Sequence, residues 1–196
     1  MKPASLDSVE FLLSETDPAR LGESSAEVAF VGRSNVGKSS LLNAVCGGKI
    51  LARVSGTPGR TRTINVFQAG LGRWIVDLPG YGFAFGDRKE IEGWQAMLES
   101  YLTGRASLRM IFVLIDAKVG PTKLDHTMLD WLESQRLPWR AVAVKADQVK
   151  SSQQSKQRNE VARVVGIAPA EMAWLSAKEG LGIREFRGAV AALLEI

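Results

Sequence analysis

Short apolar runs alternate with longer amphipathic segments along most of the 196-residue chain. The apolar runs are rich in β-branched residues, and in LRMIFVLIDA (108–117) nearly every position is apolar, as in a strand covered on both faces. This pattern predicts strands at 27–31, 63–68, 73–76, 108–117, 140–146 and 172–177. The second and third of these are joined by AGLG and predict a β-hairpin.

Helical periodicity fills the intervals between the strands. It predicts helices at 38–45, 89–102, 123–134, 155–165 and 183–194. Alternating strands and helices predict an α/β fold of three layers, with a mostly parallel six-stranded sheet between two layers of helices. Ligands of such sheets bind at the carboxyl ends of the strands, so the polar residues at those ends are the candidates for chemistry.

Composition and charge narrow the function classes without choosing among them. Hydrophobic residues make up 45% and charged residues 23%, which is typical of a globular protein and not of a disordered one. A net charge of +4 permits a polyanionic partner without requiring one. The single cysteine, Cys46, allows no internal disulfide, and neither a signal peptide nor a long apolar run is evident. We therefore expect a cytoplasmic protein that does not enter the membrane.

The sequence GRSNVGKS lies between the first predicted strand and the first predicted helix, and it matches the phosphate-binding pattern G-x-x-x-x-G-K-[S/T] of P-loop NTPases. Its glycines let backbone N–H groups turn towards an anion, and the helix adds its positive N-terminal end. Lys38 can reach the outer phosphates, and the Ser39 hydroxyl suits Mg²⁺. The predicted contacts are Gly32, Arg33, Ser34, Asn35, Val36, Gly37, Lys38 and Ser39. The loop alone does not distinguish a kinase, an ATPase and a GTPase.

Asn35 carries a separate hypothesis. An amide oxygen in the phosphate loop can ligate K⁺ beside the phosphates, where the ion would supply the positive charge that an arginine finger otherwise supplies. The alternative is that Asn35 only braces the loop.

The strand at 73–76 leads directly into DLPG, and a loop rich in Gly, Pro and Thr precedes the strand at 63–68. Asp77 can hold Mg²⁺ through a water, and the Gly80 N–H can face a terminal phosphate. The predicted nucleotide contacts of this segment are Asp77, Leu78, Pro79 and Gly80. Candidates for a second hydroxyl ligand of Mg²⁺ are Thr57, Thr61 and Thr63. Tyr81 stands where a glutamine often orients the attacking water, so we expect slow intrinsic hydrolysis.

Two more strand ends carry candidates for base recognition, VKAD and SAK. The Asp147 carboxylate can accept hydrogen bonds from the ring N–H and the amine of guanine, and adenine lacks that ring N–H. The Ala177 N–H can donate to the guanine oxygen, and the Lys145 stem can cover one face of the base. Val144 stands where Asn or Thr is usual, so either a backbone group joins this segment to the phosphate loop or the nucleotide binds more weakly. The predicted contacts are Val144, Lys145, Ala146, Asp147, Ser176, Ala177 and Lys178.

Together, GRSNVGKSSLLNA, TPGRTRTINVF, DLPGYGFA, KAD and SAK resemble the EngB (YihA/YsxC) GTPases of the TrmE-Era-EngA-YihA group. The resemblance implies a Ras-like GTPase domain at 25–196 that follows an N-terminal extension at 1–24. It also implies Mg²⁺-dependent GTP hydrolysis with catalytic residues Lys38, Thr61 and Gly80, and Mg²⁺ ligands Ser39 and Thr61. The implied first switch consists of Gly59, Arg60, Thr61, Arg62 and Thr63.

The same resemblance implies a role in assembling the large ribosomal subunit, with rRNA or a ribosomal protein as partner, and a link to cell division and septation. We expect a monomer. Arg33, Arg60 and Arg62 can reach RNA phosphates when GTP orders the switches, or they are solvated surface charges. Two other functions stay open, a nucleotide-binding module without significant hydrolysis and a P-loop small-molecule kinase. A kinase would leave KAD and SAK unexplained.

Overall fold

The computed structural model describes residues 5–47, 63–82 and 88–196. Within these ranges, seven strands form one sheet in the order β1-β3-β4-β2-β5-β6-β7. The strands are β1 (Glu10–Glu15), β2 (Ala26–Gly32), β3 (Ile64–Gly70), β4 (Arg73–Asp77), β5 (Leu108–Asp116), β6 (Trp139–Val144) and β7 (Ala173–Trp174). The helices are α1 (Lys38–Val45), α2 (Arg88–Gly104), α3 (Lys123–Ser134), α4 (Gln154–Val165) and α5 (Ile183–Leu194).

The predicted α/β fold with a mostly parallel sheet is confirmed. Strands β4, β2, β5, β6 and β7 pair in parallel, and β3 pairs antiparallel with β4 as the predicted hairpin. The described helices lie where the sequence predicts them and differ from the predictions only at their ends. The last strand is shorter than predicted. Strand β7 pairs with β6 only at Ala173 and Trp174. Soon after these residues, Ser176 pairs with Leu181 instead of continuing along β6.

The prediction of six strands is wrong by one strand. The extension before β2 contributes β1, which pairs antiparallel with β3 at the edge of the sheet. Most β1 side chains are exposed or half-buried, including Phe11 and Leu12, so this segment lacks the apolar run that marks a covered strand. Backbone pairing with β3 and a ring contact between Phe11 and Phe67 hold it in place.

Alternating side chains of the central strand β2 enter two separate hydrophobic cores. Val28 and Phe30 pack on the face that α1 and α5 cover. Ala29 and Val31 pack on the opposite face, which α2 and α3 cover, and α4 packs on that face farther along the sheet. Because both faces are buried, the strands read as continuous apolar runs in the sequence.

The register of the strands brings the candidate residues to one edge of the sheet. Phe30 of β2 lies beside Asp77 of β4, and Gly32 lies beside Leu114 of β5. Asp116, at the end of β5, lies beside Val144 of β6. The carboxyl ends of four strands therefore meet where the phosphate loop leaves β2 and α1 begins.

Candidate nucleotide-binding site

The phosphate loop leaves β2 at Gly32 and curls over the start of α1. Gly37 immediately precedes the helix with a φ of 111°, a value that side chains other than glycine rarely adopt. Asn35 also has a positive φ, 63°, and asparagine tolerates this region better than most residues. No side chain caps the α1 N-terminus at Gly37, so the N–H groups of the first turn remain available to an anion.

Lys38 and Asp77 contact one another at the centre of this edge. The Lys38 ammonium forms a buried ion pair with Asp77 Oδ1, and only 11% of the Lys38 side chain is exposed. Burial lowers the pKa of Lys38 to about 7, and the carboxylate of Asp77 opposes this effect by favouring the charged lysine. A phosphate in the loop would supply further negative charge beside this ammonium.

The segment after β4 lies directly against the phosphate loop. The Tyr81 N–H donates to the Gly32 carbonyl at 3.1 Å, and the Ser34 N–H donates to the Tyr81 carbonyl at 3.2 Å. A Cβ at Gly80 would lie 3.0 Å from Ser34 Oγ and 3.1 Å from Ser34 N. Glycine at position 80 is therefore what allows the two backbones to approach so closely.

The two segments predicted to read the base are joined to one another. Ser176 Oγ donates to Asp147 Oδ1 at 2.6 Å, and the Ala146 N–H donates to the Leu175 carbonyl at 3.0 Å. Ser176 is fully buried, whereas Asp147 is half-buried, and only one of its oxygens accepts the serine hydrogen bond. Asp147 Oδ2 is thus the oxygen available to donors of a base.

Lys145 joins the base-reading segment to the phosphate loop. Its ammonium donates to the Asn35 carbonyl at 2.9 Å and to Asp116 Oδ2 at 3.0 Å. Its stem lies against Gly37, where an added Cβ would be 3.4 Å from Lys145 Cε. Val144 is buried in the core instead. A side chain, that of Lys145, therefore connects this segment to the phosphate loop, while Val144 offers no hydrogen bond of its own.

Sequence reasoning missed two acidic residues at this edge. Asp116 accepts the Lys118 and Val119 N–H groups at 3.0 and 3.1 Å in addition to the Lys145 ammonium. Burial alone would raise the pKa of Asp116, but the hydrogen bond from Lys145 and the two N–H donors outweigh it and lower the pKa. Its position at the end of a strongly predicted strand was the available signal. The second residue is Asp125, a buried carboxylate in the first turn of α3. Its T-x-x-D spacing from Thr122 is a capping-box signal, which indicates the start of a helix but not a contact with this site.

The remaining predicted site residues are placed less centrally or are not described. Ala177 is half-buried, and Lys178 is exposed and lies 3.7 Å from Glu179 Oε1. Thr63 precedes β3, where its hydroxyl donates to Asn65 Oδ1 at 3.3 Å. The other proposed first-switch residues, Gly59, Arg60, Thr61 and Arg62, lie outside the described residues together with Thr57.

Residues 5–47, 63–82 and 88–196 contain neither a membrane-spanning helix nor a cluster of metal-ligating side chains. None of the helices there combines the length and apolarity needed to cross a bilayer. No three His, Cys, Asp or Glu side chains in those ranges are grouped so that they could hold a metal ion.

The chain resembles known GTP-binding proteins along most of its length. A family model described as "50S ribosome-binding GTPase" matches residues 27–145. "Probable GTP-binding protein EngB" of Roseobacter denitrificans is 46% identical over 180 residues, which cover 90% of this chain and 81% of the relative. The protein of the same name from Geobacter sulfurreducens is 41% identical over 191 residues, which cover 97% of this chain and 91% of the relative.

Solved structures show the same fold. The crystal structure of a probable GTP-binding protein engB superposes with a TM-score of 0.69 at 24% identity, covering 87% of this chain and 99% of that protein. An Era variant from Aquifex aeolicus, bound to GDP and aluminium fluoride, superposes with a TM-score of 0.63 at 24% identity and covers 86% of this chain. The chain spans 56% of that Era protein.

Proposed function

Because this chain belongs to the EngB family of GTP-binding GTPases, we propose that it is a switch in assembly of the large ribosomal subunit. The observation that carries the proposal is the match of residues 27–145 to a family described as ribosome-binding GTPases. In this proposal the GTP-bound form binds the subunit or its precursor, and hydrolysis releases it. The link to cell division and septation belongs to the same proposal, as do a monomeric state and a cytoplasmic location.

The proposed nucleotide site uses the strand ends described above. The phosphates lie in the loop 32–39, the base lies between Asp147 and the 176–178 segment, and Gly80 faces the terminal phosphate. This assignment is supported by Lys145, whose ammonium reaches the Asn35 carbonyl. A single nucleotide can then touch both segments, since one side chain already connects them.

Mg²⁺ is the cofactor that P-loop GTPases generally use. The residues present fit the ion, because the hydroxyl of Ser39 and the buried carboxylate of Asp77 are hard oxygen donors. Ser39 would bind the ion directly, Asp77 through a water, and Thr61 would supply the second hydroxyl. When bound, Mg²⁺ neutralises phosphate charge, and Lys38 would hold the outer phosphate oxygens beside it.

Slow hydrolysis is supported by the environment of Tyr81. The residue is 4% exposed, and its hydroxyl donates to Asp125 Oδ1, so that O–H is engaged with α3 and is not available as a donor to an attacking water. K⁺ is the proposed source of the missing positive charge, with the Asn35 amide as ligand. The exposed position of Asn35 fits this role, and its carbonyl, not its amide, holds Lys145.

The alternative functions fit the observations less well. Family membership makes the protein a GTPase. A small-molecule kinase would not explain why Ser176 orients Asp147 in a segment that resembles a guanine-binding one. Family membership likewise disfavours a binding module without hydrolysis, because the family is one of GTPases.

Co-sedimentation with purified ribosomal subunits tests the proposed role. We expect the protein to pellet with 50S subunits in the presence of a non-hydrolysable GTP analogue, to pellet less with GDP, and not to pellet with 30S subunits. A steep fall in binding with salt would identify rRNA as the contact, and a flat response would identify a ribosomal protein. Equal binding in both nucleotide states, or no binding to 50S subunits, would contradict the switch.

A further inference from the structure

One carboxylate in α3 connects the phosphate loop to the segment that follows β4. Asp125 Oδ1 accepts the Tyr81 hydroxyl at 2.6 Å. Asp125 Oδ2 accepts the Thr122 N–H and hydroxyl, both at 2.7 Å, and lies 3.2 Å from Arg33 Nε. Four groups from three segments of the chain thus converge on this side chain, which is fully buried.

The Tyr81 end of this cluster is permanently a donor. The side chain is 4% exposed, and burial together with the negative charge of Asp125 raises the pKa of Tyr81. The raised pKa keeps the hydroxyl in its protonated form, which donates to Asp125. A buried carboxylate that lost this donor would keep an unpaired lone pair, which is unfavourable.

The hydrogen bonds of Tyr81 also fix the position of Gly80, the residue that precedes it. Tyr81 is fixed on both sides of its backbone by Gly32 and Ser34, and its side chain is fixed by Asp125. Gly80 lies between Asp77 and Tyr81, packed so closely on Ser34 that even a methyl group would crowd it. Its N–H can face a terminal phosphate only while this contact is held.

We propose that Asp125 is a positioning residue for GTP hydrolysis, which acts through the Tyr81 hydroxyl to hold the Gly80 N–H in register with the phosphate loop. This inference rests on the proposed contact between Gly80 and the terminal phosphate. GDP lacks that phosphate, so the arrangement favours GTP over GDP. Arg33 supports the same carboxylate from the loop side, since its Nε lies near Asp125 Oδ2 without a hydrogen-bond partner of its own.

The protein contains a matched control for this hydrogen bond. Tyr101 donates to Glu27 Oε2 at 2.5 Å, and both side chains are fully buried. Glu27 pairs with Trp74 of β4 near the amino end of β2, at the opposite end of the strand from the phosphate loop. Tyr101→Phe removes the same chemical group from the same kind of partner without touching the nucleotide edge.

The experiment compares Tyr81→Phe, Asp125→Asn and Tyr101→Phe with the wild-type protein. Affinities for a non-hydrolysable GTP analogue and for GDP are measured with fluorescent nucleotides, single-turnover hydrolysis is followed with GTP, and unfolding is monitored by denaturant. We expect the GTP-to-GDP affinity ratio to fall about fivefold or more in Tyr81→Phe and in Asp125→Asn. Single-turnover hydrolysis should slow in both, whereas Tyr101→Phe should lose stability only.

The double variant Tyr81→Phe/Asp125→Asn provides a second reading. If both residues act through one hydrogen bond, the double variant should lower the affinity ratio little more than either single variant does. A wild-type ratio and rate in both single variants, with stability lost as in Tyr101→Phe, would overturn the inference and make Asp125 purely structural. That result would leave GTP hydrolysis by the wild-type protein intact, so it is distinguishable from failure of the proposed function.

Discussion

The ammonium of Lys145 lies 2.9 Å from the carbonyl oxygen of Asn35, although 110 positions separate the two residues in the chain. The same ammonium is paired with Asp116 at the end of β5. One lysine therefore spans the phosphate loop, β5 and the base-reading segment, and it does so where Val144 offers no hydrogen bond. The geometry of the pocket depends on this side chain.

Lys145→Met should weaken GTP and GDP binding equally. The variant keeps most of the apolar stem but loses two hydrogen bonds of a charged donor, each contributing about 1.5–3 kcal/mol. We expect about a tenfold or larger increase in Kd for both nucleotides, because the lost contacts lie away from the terminal phosphate. Equilibrium titration measures this. Lys150→Met, at an exposed lysine, is the control and should bind as the wild type does.

Gly80→Ala should affect the two nucleotides unequally. The new methyl group would lie 3.1 Å from Ser34 N and 3.2 Å from the Gly32 carbonyl, so the segment must shift away from the phosphate loop. We expect GTP affinity to fall by about 1 kcal/mol or more while GDP affinity changes little. Gly188→Ala is the control, since it lies exposed in α5 with no neighbour within 4 Å and should stabilise the protein by about 1 kcal/mol. Parallel loss of both affinities in Gly80→Ala would contradict the assignment of Gly80.

Asp116→Asn should destabilise the protein in a pH-dependent way. The pKa of Asp116 in the folded protein lies below its usual 3.8, so the folded state favours the ionised form. The stabilisation is therefore complete well above pH 3.8 and is lost as the pH falls through the lower, folded-state pKa. Denaturant unfolding should show the variant less stable by about 1–2 kcal/mol at pH 7, with the difference narrowing below about pH 4. A difference that stayed constant down to acid unfolding would exclude an ionic role.

Much of the fold followed from the sequence because the signals were local. Two covered faces make strands such as β5 continuous apolar runs, and the GKS sequence marks the start of α1. Strand β1 was not predicted because few of its side chains are buried: Phe11 and Leu12 stay exposed although the backbone pairs with β3. A pattern of buried residues cannot reveal a strand that buries little.

The candidate site likewise contains residues that the sequence could predict and contacts that it could not. Gly37, Lys38, Asp77 and Asp147 end or follow predicted strands within recognisable spacings, so their placement at one edge of the sheet could be predicted. The contacts of Asp125 with Tyr81 and Arg33 join positions that are 44 and 92 residues apart, and no spacing rule connects them. The contact of the Lys145 ammonium with the Asn35 carbonyl could not be predicted either, because it joins positions 110 residues apart.

GTP hydrolysis should be faster in KCl than in NaCl at equal ionic strength. The proposed ion is held by the Asn35 amide, so Asn35→Gly should remove the difference while accommodating the positive φ at that position. Asn35→Asp keeps an oxygen ligand and should retain some stimulation. Single-turnover rates in the two salts measure the effect, and equal rates for the wild-type protein would end the K⁺ hypothesis.

The central claim is that the phosphate loop and Asp147 bind the two ends of one guanine nucleotide. Nucleotide competition tests this claim most directly. GTP and GDP should displace a bound fluorescent guanine nucleotide from the wild-type protein, whereas ATP and XTP should not. In Asp147→Asn the amide oxygen can still accept from Ser176 while the amide N–H₂ faces the base, so XTP should now compete and GTP affinity should fall at least about a hundredfold. A wild-type preference for ATP, or an Asp147→Asn variant that binds GTP as tightly as the wild type, would contradict the account.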